Sequence, residues 1–349
     1  MSELSASPPK LPRIELLDVA RGVALVAMAI YHFAWDLEFF GWMAPSTTLQ
    51  GGWLYFARGI ASSFLFLVGI SLVLAHGQGI RWPAFWKRFA QVAGAAALIS
   101  AVTWFIQGGF IFFGILHAIA LFSLVGLVCV QRHWLVPAAA AGIVLVIWKT
   151  YASEIFSQPV LWWVGLASRA PQANDYVPMF PWLAAVLFGI ACARLFLQFD
   201  IWTRIAALTV SRPIEKPLSF IGRHSLVFYL VHQPILMGLV WTFTTFVMAP
   251  DRTSQFLQHC QSTCVESRSK EFCRAYCPCM VEEMKQQELL TPFVRRQLSD
   301  AQNILILETR DMCVARHQKH SDRGQTTKTD LLNRGRSTGR RGTKSGDWT

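Results

Sequence analysis

Apolar residues gather along this chain in seven stretches, near residues 14–37, 54–75, 89–107, 110–130, 134–148, 181–199 and 225–248. Several exceed about 18 residues with few charges, the length at which a helix crosses the hydrocarbon of a bilayer. The fifth stretch is short. Residues 160–167 are apolar but shorter again, and predict an interfacial or re-entrant segment. The expected fold is all-α: a polytopic helical membrane protein with about seven transmembrane helices. The first apolar run is too long for a cleavable signal peptide and lacks a small-residue cleavage site.

The first stretch differs from the others because it is interrupted by Asp18, Arg21, His32 and Asp36. At about 100° per residue these four fall near 0°, 300°, 320° and 0° on a helical wheel, so they share one face. Asp18 and Asp36 lie roughly 27 Å apart along such a helix, close to the hydrocarbon thickness. An ionisable side chain at mid-membrane costs at least about 2.5 kcal/mol unless it meets a partner or a wet cavity. The stripe predicts a path or a site inside a helix bundle. The plainer alternative is a helix with polar ends and one hydrogen-bonded core histidine.

Basic residues set the expected orientation, because cytoplasmic connections collect Lys and Arg. The segments at residues 1–13, 76–88, 131–133 and 194–223 hold 11 of them, from Lys10 to Arg223. The intervening connections hold only Lys149 and Arg169. The N-terminus is therefore expected in the cytoplasm and, after seven spans, the C-terminal tail outside. These anchors and the basic tail account for most of the net charge of +11, which does not call for a nucleic acid partner.

Composition changes at Pro250. Six of the eight cysteines follow it: Cys260, Cys264, Cys273, Cys277, Cys279 and Cys313. Cysteines at i and i+4 share one helix face, so two short antiparallel helices can be joined by Cys264–Cys273 and Cys260–Cys277, leaving Cys279 for Cys313. Six cysteines allow 15 pairings, and zinc competes with disulfides for closely spaced thiols. The expected external location favours disulfides, and no metal is expected. Cys129 and Cys192 lie in apolar stretches and are read as packing residues. From about residue 316 the chain is basic and nearly free of apolar residues, which predicts disorder.

Four segments together carry a family resemblance: LDVARG at residues 17–22, running on to Tyr31 and His32; GILHAIA at 114–120; DYVPMFPW at 175–182; and GRHSLVFYLVHQP at 222–234. The chain resembles bacterial relatives of the heparan-α-glucosaminide N-acetyltransferase catalytic domain, of the DUF1624 type, in the wider transmembrane acyltransferase superfamily. The resemblance covers about residues 13–248 and leaves the cysteine-rich tail outside. It implies acyl transfer across a bacterial inner membrane. Cytoplasmic acetyl-CoA would donate to an extracytoplasmic amino sugar or glycan, with membrane lipid around the bundle and a homodimer left open. A lysosomal member of the family that the chain resembles has a proposed active-site histidine in the loop after the motif helix; residues 38–53 contain none here, and His32 is nearest.

These considerations give the candidate residues. His32, Asp36, His117 and Asp175 are the catalytic set: a neutral histidine takes a proton from the attacking group and a carboxylate fixes its tautomer. Arg58 is expected near the same outer site. Asp18, Arg21, Arg223 and His232 are the donor-binding set, since arginine grips phosphate with two hydrogen bonds; Arg81, Lys87, Arg88, Arg212 and Lys216 join them unless they serve only as topology anchors. For His117 the alternative is an interhelical hydrogen bond. For His232 it is a structural role beside Pro234, and residues 76–79 read as a plain loop. The expected organisation is a cytoplasmic N-terminus (1–13), a transmembrane acyltransferase-like domain (14–248), a cysteine-rich extracytoplasmic segment (251–315) and a basic tail (316–349). Two other classes stay open: a transporter or channel using the stripe as a solute or proton path, and a membrane anchor presenting the tail.

Overall fold

The computed structural model describes residues 14–44, 46–105, 111–169, 175–207, 212–248, 252–294 and 298–317. The expected N-terminal segment and nearly all of the expected basic tail lie outside these residues. The described residues are helical without strands. Five helices are long and apolar enough to cross a membrane: α1 (Glu15–Phe39), α2 (Gly51–His76), α3 (Trp82–Phe105), α6 (Met179–Gln198) and α9 (Ser225–Phe246). Two shorter apolar helices, α4 (Ile115–Leu127) and α5 (Leu135–Thr150), occupy the fourth and fifth stretches. Residues 160–167 enter a 3-10 turn at Pro159–Val164. A short α7 (Ile201–Ala206) and an amphipathic α8 (Arg212–Arg223) precede α9.

The chain divides into two compact units. One comprises residues 1–36 and 48–240, the other residues 37–47 and 241–349. In the first, backbones approach closely where glycine removes the side chain. A Cβ at Gly69 would strike the Val186 carbonyl of α6, and one at Gly189 would strike the Phe66 carbonyl of α2. Small residues allow this packing where lipid gives helices little hydrophobic reason to associate. Leu65, Ala118, Phe122, Val130, Val186 and Ile190 fill the core beside this crossing. Gly22 and Gly222 do the same for α1 and α8: a Cβ on either would collide with the other helix's backbone.

Two boundaries differ from the sequence expectation. α3 begins at Trp82, several residues early, because the turn before it is tied to α2. The Arg81 amide donates to His76 Nδ1 at 3.2 Å and its guanidinium to the Ala75 carbonyl at 3.0 Å. α4 is shortened instead. Its 13 residues span about 20 Å, well short of the hydrocarbon thickness. Residues 111–114 are not helical, and the orphaned amides that start α4 are met by side chains. Ile115 N–H donates to Asp175 Oδ2 at 3.0 Å, Gly114 N–H donates to His117 Nδ1 at 3.3 Å, and Val177 N–H donates to the Phe113 carbonyl at 3.0 Å. Irregular backbone inside a bundle survives only where protein or a wet cavity satisfies it.

The second unit contains α10 (Arg252–Cys264), α11 (Lys270–Gln286), α12 (Leu290–Val294) and a last helix, α13, over residues 300–317. Disulfides join Cys260 to Cys277, Cys264 to Cys273 and Cys279 to Cys313, the pairing that the i,i+4 spacing favours. Met280, Met284, Leu289 and Leu290 pack around the third bond in a small core. So few apolar residues give little stability alone, and the cross-links supply the rest. Ser269 caps α11, and Arg316 meets Glu283 at 3.2 Å, so helix persists to the edge of the expected disordered tail. Cys129 and Cys192 are free and half-buried.

Candidate active site

The polar stripe of α1 divides into two clusters. In the first, Arg21 Nη1 meets Asp18 Oδ1 at 2.8 Å, and Arg21 Nη2 donates to Ser71 Oγ of α2 at 2.6 Å. The carboxylate is buried and the guanidinium partly so. Both border a cavity of about 510 Å³, which Arg81, Arg88, Arg223 and His76 also line. Four guanidiniums therefore face one space, whose remaining walls include Leu25, Val92, Leu116, Ile119 and Tyr229. Lys87, Arg212 and Lys216 do not line it, and Arg58 is exposed.

Further along α1 is the second cluster. The His32 and His232 rings lie 5.0 Å apart, edge on, at 61°. Asp36 is fully buried, and its Oδ1 accepts from Gln233 Nε2 at 2.7 Å. His232 Nδ1 is 2.7 Å from the Tyr229 carbonyl and 3.2 Å from the Phe228 carbonyl. Pro234, lacking an amide, leaves the Leu230 carbonyl free by helix geometry, so the carbonyls His232 uses are not the one that proline releases. Among the described residues, three buried atoms here have no partner: Asp36 Oδ2, His232 Nε2 and Gln233 Oε1.

Tyr229 stands between the clusters. It lines the cavity, and its ring centroid lies 5.7 Å from that of His232. Its hydroxyl is hydrogen-bonded to Asp175. That carboxyl also accepts the Ile115 amide, so one side chain joins α4, α9 and the loop before α6. Burial pushes the Asp175 carboxyl above the usual carboxylate range, against the pull of these two hydrogen bonds. Burial likewise raises Tyr176 to about 12; its hydroxyl donates to the Trp162 carbonyl at 2.6 Å.

The structure thus sorts the predicted residues into three places. Asp18, Arg21 and Arg223 border the cavity; His32, Asp36 and His232 form the second cluster; His117 and Asp175 sit at the start of α4. His232 lies with His32, not among the cavity-lining residues expected to bind the donor. Both ring nitrogens of His117 are engaged, Nδ1 by Gly114 N–H and Nε2 by Ser100 Oγ at 3.2 Å. Sequence reasoning missed Ser71, His76, Tyr229 and Gln233. Tyr229, His232 and Gln233 fall at i, i+3 and i+4, one face of α9, and that spacing was the available signal. His76 gave none beyond its place before a Gly-rich turn.

The family model for "Heparan-alpha-glucosaminide N-acetyltransferase, catalytic" matches residues 13–234, more than half of the chain. The chain belongs to that family. Neither a curated protein nor a solved structure matches it. Family membership makes the chain a membrane acetyltransferase in general terms, and the match spans all four motif segments, the cavity and the histidine pair. Among the described residues, no group of three or more His, Cys, Asp or Glu is arranged to hold a metal.

Proposed function

We propose that this acetyltransferase moves an acetyl or other short acyl group from cytoplasmic acyl-CoA to an extracytoplasmic amino sugar or glycan. The observation that carries the reading is the cavity itself: four arginines face it, and it reaches Tyr229, beside the buried His232 and the half-buried His32. Arg21, Arg81, Arg88 and Arg223 would pair with the phosphates of coenzyme A, for which planar guanidinium forks are suited. The apolar walls would take the pantetheine arm, and the thioester would end near Tyr229. An acceptor amine or hydroxyl, entering from the other side, would lose its proton to an imidazole as it attacks. His117 and Asp175 would act by fixing the start of α4 and the Tyr229 hydroxyl.

The orientation belongs to the same proposal. The basic ends of the helices would face the cytoplasm and the disulfide-bonded unit the outside of a bacterial inner membrane, where such bonds persist. The deciding experiment incubates purified full-length protein with labelled acetyl-CoA and a panel of amino sugars and cell-envelope glycans. Transfer to at least one member is expected. No transfer to any of them, together with no binding of acetyl-CoA, would overturn the proposal.

A further inference from the structure

Two imidazoles, His32 and His232, face each other in the second cluster. His232 Nδ1 approaches the Tyr229 and Phe228 carbonyls at 2.7 and 3.2 Å. A carbonyl oxygen only accepts hydrogen bonds, so Nδ1 must carry the proton. In the neutral ring that leaves Nε2 with a bare lone pair. This atom is buried and has no partner among the described residues, and the residue is only 8% exposed. A buried acceptor without a donor costs free energy. Such a cost is retained at positions where the empty lone pair has a use.

We infer that His232, through Nε2, is the proton acceptor of the transfer step, and that His32 positions it. The inference rests on the acyltransferase reading above. The backbone carbonyls set the tautomer of His232, a task that a carboxylate performs elsewhere. His32 packs its ring against His232 and holds it in place. Asp36 Oδ2 and Gln233 Oε1, the other two empty acceptors, lie on the same two helices and would accept from donors that the attacking molecule brings. As the acceptor's nitrogen or oxygen bonds to the thioester carbon, its proton moves to Nε2. The carbon–sulfur bond then breaks, and coenzyme A leaves as a thiolate. The proton passes from the imidazolium to that thiolate, restoring the neutral ring and giving the free thiol. No other reactant is needed.

The test compares His232→Gln with His32→Gln in full-length protein, using labelled acetyl-CoA and an acceptor that the wild type acetylates. His232→Gln is expected to lower kcat by about 10²–10⁴-fold, as for loss of a general base. Its acetyl-CoA Kd should stay within about twofold, because the arginines are untouched, and the acid limb of its pH–kcat profile should disappear. His32→Gln is expected to lose about tenfold or less and to keep that limb. Should His232→Gln not fold, His232→Ala assayed with added imidazole replaces it: imidazole should restore turnover if His232 accepts the proton, and should do nothing for a structural residue. Retention of the acid limb in His232→Gln, its loss in His32→Gln alone, or no rescue by imidazole would each overturn the assignment. A wild type that binds no acetyl-CoA and acetylates nothing instead removes the acyltransferase reading on which the assignment stands.

Discussion

The two polar clusters of α1 look alike in sequence and differ in how they are satisfied. Around Asp18 and Arg21 the charges neutralise each other, and Ser71 Oγ accepts a further guanidinium hydrogen bond. Around His32 and Asp36, three buried acceptors are left empty. The first arrangement lowers the cost of placing charge in a bundle while leaving arginines on the cavity wall. The second keeps a cost that packing alone has no reason to keep. Hydrogen-bond partners, not polarity, distinguish the two clusters along one helix face.

The largest expected effect breaks the satisfied cluster. Arg21→Leu removes the ion pair with Asp18 and the hydrogen bond to Ser71, and breaking a buried pair from one side costs about 3–5 kcal/mol. Thermal unfolding in detergent should show a marked loss, and acetyl-CoA should bind more weakly. Pairing it with Asp18→Leu should recover much of the stability without restoring the binding. An Arg21→Leu protein with wild-type melting and an unchanged Kd would remove the distinction between the clusters.

The unsatisfied cluster should behave in the opposite way. Replacing Asp36 and Gln233 together by Leu removes two empty acceptors along with the 2.7 Å bond between the residues. When both members of a buried pair become apolar, the change is close to neutral or stabilising. The double variant should therefore melt within about 1 kcal/mol of the wild type or above it, while transfer falls by tenfold or more. A large loss of stability would show that this cluster, too, is chiefly structural.

How much of this was legible beforehand follows from the range of the interactions. The stripe on α1 was readable because helix periodicity puts residues 18, 21, 32 and 36 on one face, and the tail's cross-links because i,i+4 spacing does the same for its cysteines. The start of α4 was not. Its capping carboxylate, Asp175, lies sixty residues away in sequence, and no local signal at Gly114 announces it. Tyr229 was hidden for the same reason, since its hydroxyl partner sits on another segment. The hydrogen bonds of His232 Nδ1 run to backbone carbonyls, which side-chain spacing does not reveal.

A smaller effect sharpens the satisfied cluster. Ser71→Ala removes the acceptor of Arg21 Nη2 but leaves the ion pair with Asp18. The cost should be about 1 kcal/mol, the usual worth of one such hydrogen bond. Melting should fall slightly and acetyl-CoA binding much less than in Arg21→Leu. A loss as large as that of Arg21→Leu would mean that Ser71, not the carboxylate, holds the arginine.

The last effect is a slope, and it concerns Asp175, which ties Tyr229 between the two clusters. Burial raises its carboxyl above the usual range in the folded protein. At pH values between the unfolded value, about 3.9, and the raised native value, the folded state therefore holds a proton that the unfolded chain has released. Stability then falls as pH rises through that window and becomes flat above it. The sign is opposite to that of a salt-bridged carboxylate, whose stabilisation is lost on acidification. Asp175→Asn keeps an oxygen to accept the Ile115 amide and cannot titrate, so its melting temperature should lack this slope. Melting measured across the acid range in both proteins checks it: the difference between wild type and Asp175→Asn should narrow or change sign as pH rises. A wild-type curve that climbs with pH while the variant's stays flat would show that Asp175 is held as a paired carboxylate, and that Tyr229 is fixed by charge, not by a shared proton.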